Sequence, residues 1–280
     1  MSAPAAPARA SRHRTDPAWV FGSLLRHREL VMQLAKREVF SRYRGSFFGM
    51  LWSLFNPLLM LAVYTFFFGT VLKVRWAEST STAGFASILF VGMIVHGYFA
   101  ECLIRSSGLI VGNPSYVRKV IFPLEILPWS TVAAAIFHTC ASVLVIVAFL
   151  LIDQGGVPPT IVLLPVVLLP LTFFCVGFAW FVASLGVYVR DTAQIVGVLS
   201  SVLMFMSPVF YPITALAPEY RRAFELNPLT PSIEFARMVT LQGKLPPFED
   251  LAILGLWGLL VAWLGMVWFQ RTRNGFGDVL

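Results

Sequence analysis

The chain has 280 residues, of which 58% are hydrophobic and only 12% are charged. An ordinary globular protein carries about 25% charged residues, which help to cover its surface with polar groups. This composition excludes a soluble domain, a solvated disordered chain and a disulfide scaffold. It indicates an integral membrane protein.

The first 44 residues are the most polar part of the chain. Residues 1–18 are rich in Ala, Pro and Arg and contain no apolar stretch, so they do not form a signal peptide, and we expect a disordered tail. Residues 19–44 predict an amphipathic helix, because apolar residues recur at helical spacing and charged residues fill the opposite face. Such a helix beside a span typically lies in the headgroup plane. A solvated helix that only adds positive charge is the alternative.

Six windows of at least 20 residues contain no Asp, Glu, Lys or Arg: 45–72, 79–100, 126–152, 154–189, 192–218 and 251–270. A bilayer core about 30 Å thick requires about 20 helical residues. The fourth window is too long for one helix, but Gly155 to Pro159 interrupts it, so its span should begin near Thr160. The apolarity is continuous, unlike the alternation of barrel strands. We predict an all-α membrane protein with six transmembrane helices within residues 45–270.

The distribution of basic residues predicts the orientation of these spans. An even number of spans places both termini on one side, and that side would hold fifteen Lys and Arg residues against six on the other. The excess marks the cytoplasmic side. Both termini, including residues 271–280, are therefore expected in the cytoplasm, and the net charge of +7 needs no nucleic acid to explain it.

The connection between the second and third predicted spans contains a candidate docking segment. Asn113 and Pro114 would start a short helix, residues 115–121 allow two turns, and Pro123 would stop it. Such a helix, carrying Arg118 and Lys119, could enter a groove of a partner protein. A plain connecting loop is the alternative.

Two charged pairs lie at span ends on the predicted cytoplasmic side. Glu101 and Arg105 are four residues apart, which favours a structural helix pair. Arg190 and Asp191 form the tight turn between the fourth and fifth spans, where Asp191 is a candidate N-cap. We favour a structural role for this turn over a gating role.

The outer loop before the sixth span is unusual. Pro208 and Pro212 cannot continue a regular helix without a kink. The sequence then predicts one short helix over 215–226 and another that opens at Thr230 and ends near Leu241. Broken helices at membrane depth are tolerated when they are buried in protein or line a wet cavity. We therefore predict a re-entrant pair, at about 213–243, that guards the outer mouth of a pathway.

The sequence contains no recognisable catalytic, nucleotide-binding or metal-binding motif. The sequence has no phosphate-binding loop, no His, Cys or carboxylate cluster for catalysis or for a metal, and no charge inside the windows. Ion-coupled carriers normally place ionisable groups inside their spans, so a channel or ion-driven carrier is disfavoured. We expect no catalytic residue, metal or cofactor here, and an energy source elsewhere.

Aromatic residues are abundant, at 14% of the chain. Sugar rings have flat C–H faces that lie well on aromatic rings, so a polysaccharide channel could use those inside the spans. Lipid-facing packing is the default for any single ring. The candidates for a channel lining are Trp52, Tyr64, Tyr98, Phe99 and Phe205.

Several motifs, in this order, resemble one known family: the membrane permease of bacterial ABC transporters that export O-antigen, teichoic acid and related polysaccharides. The resemblance extends from about Leu30 to the C-terminus. It is carried by residues 37–46, 51–58, 113–114, 117–123, 190–191, 207–212 and 227–228. One departure is Leu124, where relatives often have arginine, which removes a charge from the segment that would meet the ATPase.

This resemblance implies a homodimer that assembles with two copies of a separate ATPase, which binds ATP and Mg²⁺. The amphipathic helix would lie at the cytoplasmic interface, residues 113–123 would be the coupling helix, and the re-entrant pair would be the periplasmic gate. The implied coupling residues are Asn113, Tyr116, Arg118, Lys119, Phe122 and Glu125. The implied gate residues are Pro208, Phe210, Tyr211, Pro212, Asn227 and Pro228. The expected cytoplasmic entrance is formed by Arg42, Arg44, Arg190 and Asp191.

The function expected from the sequence is the permease subunit of an ATP-driven exporter in the bacterial inner membrane, surrounded by lipid. Its substrate would be lipid-linked polysaccharide, with O-antigen the first choice. A membrane-embedded enzyme that acts on lipid-linked sugars is the alternative from another class, and an ABC exporter of small molecules is a close variant.

Overall fold

The computed structural model of the protein describes residues 18–71, 82–118 and 122–280. The predicted tail, except for its last residue, and Lys119 therefore lie outside the described residues. The α-helices of the described ranges are α1 (Ala18–Arg26), α2 (Arg28–Tyr43), α3 (Trp52–Tyr64), α4 (Thr82–Ser106), α5 (Pro114–Val117), α6 (Leu127–Gln154), α7 (Leu164–Tyr188), α8 (Thr192–Phe205), α9 (Pro218–Glu225), α10 (Leu229–Arg237), α11 (Phe248–Thr272) and α12 (Phe276–Val279).

Five helical segments within the described ranges are long and apolar enough to cross a membrane. They contain α3, α4, α6, α7 and α11, and with their short flanking turns they cover Gly49–Phe67, Gly84–Ser106, Leu124–Gln154, Pro159–Tyr188 and Phe248–Val279. These segments coincide with five of the six predicted spans. The break at Gly155, which has a left-handed φ of 69°, separates the third segment from the fourth as expected.

The predicted fifth span, 192–218, is not one continuous helix. Its helical part, α8, has 14 residues, which gives a length of about 21 Å against a hydrocarbon core of about 30 Å. The chain turns away after Phe205, because Pro208 and Pro212 cannot donate the backbone hydrogen bonds of a helix. Absence of charge therefore does not give a helix of spanning length here.

The N-terminal amphipathic segment forms two helices, α1 and α2, which are separated at His27, rather than the single helix expected. The predicted apolar face of α2 is buried, with Val31, Leu34, Ala35 and Val39 at its centre. This face packs mainly against α6. Met32 and Phe40 of α2 remain exposed.

The helices α7 and α11 pack against each other along their length, and glycines allow the close approach. A Cβ atom on Gly177 would lie 2.6 Å from the carbonyl oxygen of Val261, and one on Gly258 would lie 2.7 Å from that of Pro170. Small residues at such contacts are a common way to bring two membrane helices together. The backbones of α7 and α11 are therefore in direct contact.

The two ends of the bundle differ in chemistry. The polar end is formed by residues 37–44, 101–118, 122–126, 188–192 and 271–280, and most ion pairs between described residues lie there. The hairpin end is formed by residues 206–243, where α10 packs against α4 and α7, and α9 packs against α10. The described part of the docking segment contains one short helix, α5, and the rest of the predicted two turns lies outside the described residues.

Two helices form in the stretch where the outer helices were predicted, with shifted boundaries. The first, α9, begins at Pro218, and the second, α10, begins at Leu229 rather than at Thr230. A wide turn, Met238–Gln242, extends α10 to Gly243, whose left-handed φ of 67° ends it where the sequence predicted. The hydroxyl of Thr230 does not cap α10 but donates to the Phe224 carbonyl at 2.7 Å.

Candidate functional site

At the polar end, Arg37 of α2 fastens the predicted docking segment. Its Nη1 donates to the hydroxyl of Tyr116 at 2.6 Å, and its Nη2 donates to Oδ1 of Asn113 at 3.3 Å. The guanidinium carbon also lies 5.5 Å from the centre of the Tyr116 ring, within the range of a cation–π contact. Two of the predicted coupling residues are thus joined to α2 by Arg37, for which the sequence predicted no coupling role.

The other side of the same segment is held by Arg273, just after α11. Its Nη1 donates to Oε2 of Glu125 at 2.8 Å, and its Nη2 donates to the carbonyl of Phe122 at 3.2 Å. The carbonyl of buried Glu125 also accepts a 3.0 Å bond from the indole N–H of Trp180. The Glu125 carboxylate therefore faces the interior of the chain.

A stacked pair of aromatic rings connects the part of the segment bound by Arg37 with the part bound by Arg273. The rings of Tyr116 and Phe122 are nearly parallel, with centroids 4.3 Å apart. Arg118, which lies between these two residues in the sequence, is exposed. Its Nη2 lies 3.5 Å from the carbonyl of Leu280. The segment thus presents a cation outward while its aromatic residues connect it to α2 and to the end of α11.

A second polar group, the Glu101 cluster, consists of Glu38, Arg42, Glu101, Arg105 and His138. Three donors converge on Oε1 of Glu101 at 2.8 Å each: Nη1 of Arg42, Nε of Arg105 and Nδ1 of His138. Arg105 also donates from Nη1 to Glu38 at 2.9 Å. The cluster joins α2, α4 and α6, and only its Glu101–Arg105 pair was expected.

Among the described residues, no hydrogen bond or ion pair joins the four predicted entrance residues to one another. Arg42 belongs to the Glu101 cluster, whereas Arg44, Arg190 and Asp191 are exposed. Asp191 precedes α8 as predicted, but its side chain makes no capping hydrogen bond. The hydroxyl of Thr192 donates instead to the carbonyl of Val189 at 2.7 Å.

The predicted channel aromatics fall into two groups. Trp52 and Phe205 are 37% and 63% exposed, and Tyr64 is half-buried. Tyr98 and Phe99 are buried. Tyr98 donates from its hydroxyl to Thr172 at 3.0 Å, and the ring of Phe99 makes an edge contact with that of Phe178 at 5.8 Å.

At the hairpin end, Asn227 binds the turn that follows α8. Its Nδ2 donates to the carbonyl of Met206 at 3.0 Å and to the hydroxyl of Ser207 at 2.9 Å, while its Oδ1 accepts from the N–H of Leu229. This places Pro228 at the start of α10. The amide therefore joins the break after α8 to the start of the second outer helix.

Arg237, at the other end of α10, binds the same turn. This side chain is only 3% exposed. Its Nη2 donates to the carbonyl of Val209 at 3.0 Å, its Nε donates to the carbonyl of Ile88 in α4 at 3.2 Å, and its Nη1 pairs with Glu234. A buried guanidinium thus connects α10 and α4 with the turn, and sequence reasoning did not identify it.

The remaining predicted gate residues surround this joint. The hydroxyl of Tyr211 donates to the carbonyl of Phe205, and the Tyr211 ring meets that of Phe224 at 6.3 Å. Phe210 lies beside Phe205, with ring centroids 5.9 Å apart. Pro208 is buried and Pro212 is half-buried. All six predicted gate residues therefore lie in or against the turn and the outer helices.

Comparison with known proteins identifies the family of this chain. The chain is 29% identical over 260 residues to the O-antigen export system permease protein RfbA of Myxococcus xanthus, covering 91% of this chain and 96% of that protein. It is 25% identical over 255 residues to the protein of the same name from Klebsiella pneumoniae, covering 90% and 95%. It is also 21% identical over 254 residues to the capsule polysaccharide export inner-membrane protein CtrC of Neisseria meningitidis, covering 90% and 94%. Residues 29–241 match the family described as ABC-2 type transporter, and the chain is therefore a member of that family.

Proposed function

We propose that this chain is the transmembrane permease of an ATP-driven exporter that moves lipid-linked polysaccharide, most closely O-antigen, across the bacterial inner membrane. The observation that carries the proposal is its similarity, along about nine-tenths of its length, to O-antigen export permeases. A long hydrated glycan cannot enter hydrocarbon without losing its hydrogen bonds to water. A protein pathway between membrane helices supplies replacements. Matched relatives that are transport permeases favour this role over an enzyme that acts on lipid-linked sugars.

The energy for export comes from a partner. The sequence has no phosphate-binding loop, so ATP and Mg²⁺ bind to a separate ABC ATPase, of which two copies serve a dimer of permeases. Exposed Arg118, followed by Lys119, is where this ATPase docks. The attachments through Arg37 and Arg273 then pass its movement to α2 and α11 as a rigid-body shift.

The exported glycan passes between two copies of this chain. The helix α3 buries only Ser53 and Leu61 within its own chain, and α8 buries only Thr192, Val196 and Ser200. A second copy would cover these open faces, with a channel along the dimer axis. The exposed or half-buried rings of Trp52, Tyr64 and Phe205 would line it, while the buried ring of Phe99 supports the helix behind.

The hairpin end is the periplasmic gate in this proposal. The short helix α8, the turn at 206–212 and the outer helices together complete a sixth crossing, and α9 and α10 re-enter from the outer face. The polar end, with both termini, is cytoplasmic, as the excess of basic residues indicates. The exposed Met32 and Phe40 of α2 suit a helix that lies at the membrane interface.

Charge reversal at the docking segment tests the proposal. Arg118→Glu combined with Lys119→Glu should abolish glycan export and release the ATPase from control by the permease. Arg271→Glu, which reverses the charge of an exposed arginine at the same polar end, is the matched control and should export normally. Cells that lack the permease should accumulate a lipid-linked glycan inside. Normal export by the doubly reversed chain would overturn the docking assignment, and translocation by the chain alone, without an ATPase, would overturn the mechanism.

A further inference from the structure

A cleft of about 190 Å³ opens beside the Glu101 cluster, between α3, α4, α6 and the end of α2. The side chains that matter for its chemistry are those of Arg42, Trp52, Asn56, Tyr98, Glu101 and His138. Two of them, Trp52 and Tyr98, are predicted channel aromatics, and Arg42 is a predicted entrance residue. Features predicted separately therefore meet in one cavity.

The charges in and beside the cleft are already balanced. Arg42 and Arg105 offset Glu101 and Glu38 through direct ion pairs of 2.8–2.9 Å. An anionic ligand would have to compete with the Glu101 carboxylate for donors that it already holds. A neutral ligand with several hydrogen-bonding groups would leave these pairs intact, so the electrostatics favour a neutral polar molecule.

His138 supplies a polar atom for which the described residues hold no partner. Its Nδ1 is bonded to Glu101, while its buried Nε2 has no hydrogen-bond partner among the described residues. A buried polar atom without a partner costs free energy. A hydroxyl group can either donate or accept a hydrogen bond, so it satisfies Nε2 in whichever protonation state the imidazole adopts.

Another part of the lining of the cleft is aromatic. The indole of Trp52 is 37% exposed and is held edge-on by Phe48 and Phe55, at centroid distances of 5.6 and 5.2 Å. The amide of exposed Asn56 lies one helical turn further along α3. A fixed ring with a nearby amide suits a ligand that has one apolar face and hydroxyl groups around its edge.

We propose that this cleft binds one neutral sugar ring of the exported polysaccharide on its way into the channel. The inference rests on the proposed function and adds a binding site to it. The ring lies on Trp52, its hydroxyls bond to His138 Nε2, Asn56 and the rim of the Glu101 cluster, and Tyr98 closes the deeper wall.

Binding can be measured with the full chain in lipid nanodiscs, by saturation-transfer NMR titration with methyl α-mannoside, methyl α-galactoside and methyl α-rhamnoside. We expect saturable binding of at least one glycoside. The dissociation constant should rise about fivefold in Trp52→Leu, as expected for the loss of one aromatic contact, and a similar loss should follow from Asn56→Ala. Trp257→Leu, which replaces a 60% exposed tryptophan of α11, is the matched control and should bind as the unchanged chain does.

Three results would overturn the site: no saturable binding to the unchanged chain, equal weakening by Trp52→Leu and Trp257→Leu, or displacement of the glycoside by inorganic pyrophosphate, which would indicate an anion site. Export by the same variants in cells separates this inference from the proposed function. If the unchanged chain exports glycan but binds no glycoside, the cleft is refuted and the exporter stands. If it exports none with its ATPase, the proposed function fails.

Discussion

The guanidinium of Arg37 and the hydroxyl of Tyr116 form a 2.6 Å hydrogen bond across 79 positions of sequence. Tyr116 stacks on Phe122, whose carbonyl accepts a bond from Arg273. These direct contacts connect α2 with the end of α11 through the docking segment. A force applied to that segment therefore reaches helices on both sides of it.

This relationship predicts that Arg37→Ala uncouples ATP hydrolysis from export. The change removes both hydrogen bonds to the segment and the cation–π contact but leaves the segment itself intact. We expect export to fall roughly fivefold or more, the usual scale of coupling between sites, while the ATPase still binds and hydrolyses ATP. Export from cells and ATPase activity of the purified complex measure the two effects.

The neighbouring Lys36 is exposed on the same helix and provides the matched control. Lys36→Ala should export at the level of the unchanged chain. If Arg37→Ala and Lys36→Ala are indistinguishable in export per ATP hydrolysed, the bond to Tyr116 has no part in coupling.

The ion pair between Arg273 and Glu125 predicts an effect on stability. Arg273→Ala would leave a buried carboxylate without its cation and the Phe122 carbonyl without its donor. We expect a loss of roughly 1–3 kcal/mol in the free energy of unfolding, typical of a buried polar group left unpaired. Arg271→Ala, at an exposed position, should cost less than about 0.5 kcal/mol. Thermal unfolding in detergent compares the two.

A second substitution tests the cause of that loss. Glu125→Leu, added to Arg273→Ala, removes the unpaired carboxylate, and the bond from Trp180 survives because it goes to the backbone carbonyl. The double variant should therefore unfold at a higher temperature than Arg273→Ala alone. A lower temperature would show that the carboxylate is not the source of the instability.

Local chemistry made much of the helical framework predictable. Continuous apolarity located five segments of spanning length, and the prolines at 208 and 212 marked the break after α8. Gly243 ends the second outer helix, because its left-handed φ of 67° suits glycine. The prediction that residues 192–218 form one spanning helix was wrong, because a window without charge does not require an unbroken helix.

The pairing of charged groups was not predictable from local sequence. Glu101 and Arg105 are one helical turn apart and form the expected pair at 2.8 Å. The other partners of Glu101 are 59 and 37 residues away, and only the packing of α2 and α6 beside α4 brings them near. The same holds for Arg237, which reaches Ile88 across 149 positions. No local pattern encodes such contacts.

The hydrogen bonds of Arg237 predict that this side chain holds the turn and α10 together at the hairpin end. Arg237→Gln cannot supply the three bonds to Ile88, Val209 and Glu234, and each bond to a charged group contributes about 1.5–3 kcal/mol. The turn and α10 should therefore open more often. Hydrogen–deuterium exchange should quicken about tenfold or more over 207–212 and 229–237, while α6 keeps its protection.

Arg222→Gln is the comparison for this experiment, because Arg222 is exposed on α9. It should leave exchange at both segments unchanged. Faster exchange spread over all helices in Arg237→Gln would instead indicate general destabilisation, and Arg237 would then have no specific role in holding the hairpin end.

The contact between α7 and α11 predicts that Gly265 cannot be enlarged. A Cβ atom there would collide with the backbone of Gly177, which a rotamer change cannot relieve. Gly197 of α8 has open space around the same position, so Gly197→Ala should be neutral or stabilising through its better helix propensity. Gly265→Ala should lower the free energy of unfolding by about 1–3 kcal/mol, the usual cost of overpacking. Thermal unfolding of the two variants compares them: equal midpoints would mean that α7 and α11 accommodate the extra methyl group, and that their close approach at Gly265 adds nothing measurable to stability.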